Sequence, residues 1–328
     1  MEQKTTIDII LPHRIGDCIL TLPALFCLDE LIKKFDKKKT KIRLISGTAM
    51  LPFLKTLNLF KLELLSYPLK ILSWFFPVDK AFFYLTSSKT LGYKAKLTYG
   101  QHKDAKKYLH YDINVPYIVE YFSNKFPNQQ LLNFLKDEYK LSAVTINNFA
   151  ICLELNYTFE QIKEVFPIAY EKLSSKTVAK SDYFVCCMEA GYGKKTTAER
   201  RGNPEDFIDV ANYIHEKYGF KTIFIGMDKS TKIPNKPYLL DCRKKSNITN
   251  LIKIIDNSIG YFGNDTGPLH LANLLGKPSL GLYTTISPES YGPIFAHKNY
   301  PIFLMDDKKE VYSELDKMIQ ENTPINQH

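Results

Sequence analysis

Short apolar, β-rich runs alternate with amphipathic helical stretches along this 328-residue chain, and they do so in two series. In the first series "TIDIILP" (6–12), "KIRLIS" (41–46), "LELLSY" (62–67) and "KAFFYL" (80–85) read as strands, with helical sequence between them that opens at 15–35. In the second, "YFVCCM" (183–188), "KTIFIG" (221–226), "YLLDC" (238–242), "SIGYF" (258–262) and "PSLGLY" (278–283) read as strands. Helices are expected over 203–219, over 247–257 and after Gly263. Strands separated by helices of about 10–15 residues need crossover connections, and these produce parallel sheets covered by helices. The expected fold is therefore α/β, with two doubly wound Rossmann-like domains.

A chain of this length exceeds the usual size of one core. The polar stretch 169–183 reads as the linker, giving domains 1–170 and 171–307 and a closing helix and tail over 308–328. Ligands of open α/β sheets bind outside the carboxyl ends of the strands, so a cleft facing both sheets is the expected place for chemistry.

The formal net charge is +9. That surplus suits an anionic partner such as a nucleotide, a phosphorylated lipid or a membrane surface, and equally suits lysine-rich coding bias. The six cysteines include no CxxC and no Cys/His set with zinc spacing, which points to a reducing compartment and no structural metal. "IDIILP" (7–12) is too short for a secretory signal. The apolar stretch 69–85 is broken by Lys70, Pro77, Asp79 and Lys80, so it is not expected to span a bilayer. A cytoplasmic protein is expected.

Two stretches concentrate chemistry-bearing residues at strand-to-helix junctions. In "GNDTGPLHLANLLGKPSLGLY" (263–283) a strand stops at Gly263, a turn follows, and a helix begins. Asp265 or Thr266 can cap that helix, Pro268 suits its first turn and Gly276 its exit. Gly267 also lets an anion approach the free N–H groups and the positive end of the helix dipole, and His270, one turn in, can add a hydrogen bond or a charge. In "PHRIGDCILTLPAL" (12–25) a strand ends, Gly16 makes a turn, and Asp17 opens a helix. Asp17 is there either as an N-cap or as a general base, and His13 and Arg14 are placed to meet an anionic substrate.

Together "IGDCILTLPAL", "GNDTGPLHLANLLGKPSLGLY" and "SPESYGP" (287–293) resemble the heptosyltransferases, glycosyltransferase family 9. The resemblance covers both ends of the chain in order and spacing. Between 90 and 180 it rests only on "LGYKAKLTYG" (91–100). It implies a two-domain GT-B fold, with the acceptor on the N-terminal domain and a nucleotide-activated sugar on the C-terminal one. It implies Asp17 as the base that activates the acceptor hydroxyl. Asp265, Thr266, Gly267 and His270 would bind the donor's diphosphate and sugar. The implied reaction is an inverting single displacement with no cofactor and no obligatory metal.

A third family element carries hydroxyl residues, a lysine and then Trp-Pro. Here "KKTTAERRGNPEDF" (194–207) supplies Thr196 and Thr197, and Arg201 keeps the basic-x-x-Pro spacing to Pro204, as Arg200 does if the gap shifts. Asn203 stands where the tryptophan would be, and the chain's only tryptophan is Trp74. Arginine for lysine exchanges a point charge for a planar fork, which is not a neutral change at a phosphate site. The family's acidic ribose contact has Asp228 as its nearest candidate. For the acceptor, the loop "SSKTLGYKAKLTYGQHK" (87–103), with Lys94, joins His13 and Arg14, and the basic run 33–43 suits a phosphorylated lipid surface.

The resulting expectation is heptose transfer from ADP-heptose to a lipopolysaccharide-core acceptor, an anionic glycolipid at the inner face of the inner membrane. Nucleic acid is not an expected partner. Alternatives are a family member with another donor or acceptor, a noncatalytic nucleotide-sugar-binding protein and a nucleotide-sugar epimerase. A dinucleotide oxidoreductase is disfavoured, because no GxGxxG follows the first strand of either domain.

Overall fold

The computed structural model describes residues 6–10, 15–20, 41–46, 50–57, 63–66, 80–84, 97–100, 182–190, 201–284, 288, 292–293, 298–303 and 307–322. The chain divides into two compact units, Met1–Ala169 and Tyr170–His328. No helix among the described residues is long and apolar enough to cross a membrane.

The first unit holds β1 (Thr6–Ile10), α1 (Ile15–Leu20), β2 (Lys41–Ser46), α2 (Leu51–Leu57), β3 (Glu63–Ser66), β4 (Lys80–Tyr84) and β5 (Leu97–Gly100). Its sheet is parallel throughout, in the order β3-β2-β1-β4-β5. The strand order reverses between β1 and β4, and the chain leaves the carboxyl end of β1 at that point to enter α1. This is where doubly wound sheets bind ligands.

Two expectations change here. The helix begins at Ile15, so Gly16 lies within it rather than forming a turn, and Asp17 is its third residue rather than its N-cap. Residues 97–100, expected as part of an acceptor loop, are the edge strand β5.

The second unit holds β6 (Tyr183–Cys187), α3 (Pro204–Tyr218), β7 (Lys221–Ile225), β8 (Leu239–Asp241), α4 (Ile248–Asp256), β9 (Gly260–Asn264), α5 (Gly267–Leu274), β10 (Ser279–Tyr283), β11 (Asn299–Phe303) and α6 (Lys308–Asn322). Its six strands are all parallel, in the order β11-β10-β9-β6-β7-β8. β11 is an addition to the strands expected from the sequence.

Central strands are covered on both faces and read as unbroken buried runs: every residue of β9 and of β10 is buried. α3 shows the local logic clearly. Asn203 caps it by accepting from the Glu205 N–H at 3.3 Å, and Pro204 follows at the first position. Phe207, Val210, Ala211 and Ile214 then recur at helical spacing and face Phe184, Phe224 and Phe262 in the core. The residue in the tryptophan's place therefore serves as a helix cap.

α6 belongs to the same core through Val311, Leu315, Met318 and Ile319. Its Asp316 accepts hydrogen bonds from Tyr213 and Tyr218 of α3 and from Lys217, at 2.9, 2.7 and 2.7 Å. The Tyr213 and Tyr312 rings stack with centroids 4.1 Å apart.

Candidate functional site

In the second unit the strand order reverses between β6 and β9, and the carboxyl ends of these two strands carry Met188–Glu189 and Asn264–Asp265. β9 runs on through Gly263 to Asn264, beyond the point where the sequence suggested a turn. Gly263 has φ +155°, and a Cβ there would collide with the backbone of Cys187 on the neighbouring strand. The glycine therefore permits close approach of β9 to β6. The turn proper is only Asp265–Thr266 before α5.

Thr266 occupies the N-cap position of α5, yet its side chain makes no cap hydrogen bond. Its hydroxyl turns back to donate to the Asn264 carbonyl at 3.3 Å. Leu269 N–H bonds the Thr266 carbonyl at 3.0 Å, and Pro268 has no N–H to offer. No side-chain cap thus occupies the start of the helix, and Gly267 presents its backbone there without a Cβ. Gly276 (φ +70°) closes the helix as expected.

Asp265 and His270 form a pair at this end, with Oδ1 to Nε2 at 3.6 Å and side chains only 12% and 8% exposed. Asp265 Oδ1 and His270 Nδ1 are both buried without a hydrogen-bond partner among the described residues. Two such groups side by side cost stability unless something else satisfies them. Burial pushes the Cys187 thiol up to about 11 and raises the Tyr261 phenol well above its usual value, so both stay neutral at pH 7.

Asn264 was not singled out from the sequence, and it organises the site. Fully buried, it accepts the Gly202 N–H on Oδ1 at 3.0 Å and donates from Nδ2 to the Met188 carbonyl. One side chain thus ties the end of β9 to the end of β6 and to the segment entering α3. This brings Arg201, next to Gly202, beside the turn.

Arg201 Nε donates to the Ala190 carbonyl at 3.3 Å, and its Nη1 lies 3.7 Å from Asp228 Oδ2. Asp228 sits on the turn after β7. Its backbone N–H donates to Glu189, and its Oδ1 accepts the Ser230 N–H at 2.8 Å. Those bonds to Ser230, aided by Arg201 and Arg243 nearby, hold its carboxyl below the ordinary range. Beneath the turn, Arg243 is 3% exposed; it grips Asp241 with Nε and Nη2, both at 2.9 Å, and the Asp228 carbonyl with Nη1 at 3.1 Å. At the closing Gly-Pro, Gly292 N–H donates to the Pro288 carbonyl at 2.7 Å.

Of the residues expected from the sequence, Asp265, Thr266, Gly267, His270 and Arg201 gather at this one end of the second sheet. Asp17 lies on α1 in the first unit, and its side chain is outside the described residues. Thr196, Thr197, Arg200, His13, Arg14 and Lys94 also lie outside the described residues. Chemically, the assembled part offers an anion seat at a helix start, a carboxylate–imidazole pair in which one buried atom of each lacks a hydrogen-bond partner among the described residues, and a guanidinium at its edge.

Three solved structures share the fold over nearly the whole chain. The E. coli ADP-heptose LPS heptosyltransferase II aligns with TM-score 0.62 at 13% identity, covering 96% of this chain and 99% of its own. E. coli heptosyltransferase WaaC with ADP gives 0.58 at 13%, covering 97% and 99%. The family 9 glycosyltransferase from Veillonella parvula DSM 2008 gives 0.58 at 16%, covering 98% and 92%. The fold is therefore of the GT-B type expected from the sequence. A comparison with curated protein sequences gives no significant match. Residues 135–315, more than half of the chain, match the model of glycosyltransferase family 9 (heptosyltransferase), and the chain belongs to that family.

Proposed function

We propose that this glycosyltransferase moves a heptose from ADP-heptose to a lipopolysaccharide core acceptor of the Kdo/heptose–lipid A type, with inversion at the anomeric carbon. The carrying observation is the pair of buried polar atoms, Asp265 Oδ1 and His270 Nδ1, that have no hydrogen-bond partner among the described residues, beside a helix start without a side-chain cap. A bound sugar diphosphate would satisfy both. Two of the solved E. coli structures contain WaaC with ADP or with ADP-2-deoxy-2-fluoro heptose, which supports an adenine nucleotide as donor.

In this reading the Gly267 backbone and His270 hold the diphosphate, where the helix dipole favours the charge that grows on the departing nucleotide. Asp265, as an acceptor, suits the sugar hydroxyls better than the phosphates. Thr266 shapes the turn. Arg201, with Arg200, Thr196 and Thr197 from the preceding segment, adds charge and hydroxyl donors to the phosphates.

Asp17 takes the proton from the acceptor hydroxyl as its oxygen attacks the anomeric carbon, and the bond to the nucleotide's phosphate breaks on the opposite face. His13, Arg14 and Lys94 meet the anionic acceptor. No metal is needed, because the developing charge is met by these donors. The protein works from the cytoplasm at the inner membrane surface, where its +9 charge favours an acidic glycolipid.

The test is a transfer assay with ADP-heptose and a Kdo–lipid A acceptor, with and without EDTA. Product formed equally in both supports the proposal. Transfer only from another nucleotide sugar replaces the donor, and loss with EDTA that returns on adding a metal ion overturns the metal-free mechanism.

A further inference from the structure

Tyr261 is a wholly buried tyrosine of β9, and none of the proposed steps uses it. Residues 261 and 263 lie two apart, on one face of the strand. A Cβ on Gly263 would come within 2.8 Å of the Tyr261 phenol oxygen. The ring therefore runs forward along β9, and its hydroxyl fills the space the glycine leaves just before the turn into α5. There it donates to the Asn264 carbonyl at 3.5 Å, and the Thr266 hydroxyl donates to the same carbonyl at 3.3 Å. Burial raises the phenol's pKa well above its usual value, while a hydrogen bond with the Thr266 hydroxyl works the other way. The Cys187 side chain bonds with both hydroxyls as well. Each contact is modest, but together in a place without water they reinforce one another.

This cluster grips the residues on either side of Asp265, whose own N–H is taken by the Leu282 carbonyl at 3.1 Å. The turn needs such a hold in the free protein. Asp265 Oδ1 and His270 Nδ1 are buried there with no hydrogen-bond partner among the described residues, and a small rotation of the turn would relieve them by reaching water. We propose that Tyr261 is a positioning residue for donor binding: its hydroxyl, seated in the gap at Gly263, fixes the Asn264–Thr266 turn so that Asp265 and the Gly267 N–H are aimed before the sugar diphosphate arrives. The inference rests on the reading of this turn as the donor seat. The phenol touches no ligand and acts through Asn264 and Thr266. Its contribution is preorganisation, ordering that the ligand would otherwise have to supply on binding.

The experiment measures ADP binding by calorimetry to the wild type, Tyr261→Phe, Thr266→Val and the double variant. Phenylalanine keeps the ring and its packing and removes only the hydroxyl. Tyr261→Phe should bind ADP about three- to tenfold more weakly, the worth of one neutral hydrogen bond. In the Thr266→Val background, whatever that change costs by itself, Tyr261→Phe should cost less than about twofold, because part of the route from phenol to turn is already cut. In the transfer assay Tyr261→Phe should raise the KM for ADP-heptose and leave the KM for the acceptor unchanged.

Tyr261→Phe that binds ADP within about twofold of the wild type would overturn the proposal, even if it is less stable, because the phenol would then serve packing alone. So would an equal loss in both backgrounds, or KM values for donor and acceptor that rise together. A wild type that binds no ADP would overturn the functional reading beneath it as well, whereas wild-type ADP binding without the Thr266-dependent loss removes this inference alone. Urea unfolding of each variant separates these results from misfolding. For a destabilised Tyr261→Phe, affinity is read from the rise in unfolding midpoint that ADP produces.

Discussion

Asn264→Ala is the substitution that reaches furthest into the site from a residue that need not touch substrate. The side chain is wholly buried, and it satisfies two backbone groups, the Gly202 N–H and the Met188 carbonyl. Its truncation leaves both without partners in a place water reaches poorly. At about 1–3 kcal/mol for each of the two stranded groups, the expected loss is roughly 2–6 kcal/mol. Urea unfolding should show the loss as a lower midpoint at unchanged slope.

ADP affinity should fall along with stability, because the Gly202 bond anchors the segment that carries Arg201 to the end of β9. Asn264→Asp sharpens the test. It keeps the acceptor for Gly202 but sets a carboxylate oxygen against the Met188 carbonyl, so the folded state favours the protonated acid. A folded pKa raised above the unfolded one means stability that is present at low pH and lost as pH rises through the folded value. Asn264→Asp should therefore be closer to wild type at acid pH than at pH 8. Should Asn264→Ala unfold within about 0.5 kcal/mol of the wild type, the bracket carries no such load and the reasoning fails.

His270→Ala should weaken ADP binding by about tenfold or more, the value of a hydrogen bond to a charged group, and leave acceptor binding intact; calorimetry with each ligand checks this. Asp17→Asn should lower turnover by about 10²–10⁴-fold with ADP affinity nearly unchanged, and equal loss of both would argue against a base. Asp316→Asn should destabilise the second unit by about 1–2 kcal/mol at pH 7 through lost bonds to Tyr213, Tyr218 and Lys217. Burial alone would raise the Asp316 pKa, but those bonds outweigh it and hold the carboxyl below its usual 3.8. The wild-type advantage over Asp316→Asn should accordingly be constant at neutral pH and shrink as pH falls below about 4, as a pH series of unfolding curves would show.

Most strands of both sheets were legible as apolar runs because central parallel strands are buried on both faces, as in "FVCC" of β6 and all of β10. The edges were not. β11 carries Pro301, whose missing N–H is tolerable only at a sheet edge, and its burial alternates along only five residues. β5 is four residues ending in glycine. Gly263 read as a stop because glycine usually marks turns, and only the register against Cys187 reveals the close approach that requires it.

At the site, the Asp-Thr-Gly-x-x-His spacing placed a carboxylate and an imidazole one helical turn apart, which local geometry alone dictates. Asn264, Glu189 and Arg243 escaped notice because the bonds that tie them into the site reach residues 15–76 positions away in the chain. The adjacent Asn264 could have been found by asking why an amide ends a strand that is otherwise apolar.

The most direct measurement of the account is thermal unfolding of the purified chain against ADP, ADP-heptose, UDP and GDP sugars. A ligand at 100 times its dissociation constant adds about 2.7 kcal/mol of stability. The account predicts an upward shift with ADP and ADP-heptose and none with the UDP or GDP compounds. A shift with one of those instead, or none with any nucleotide in a protein shown to be folded, would contradict it.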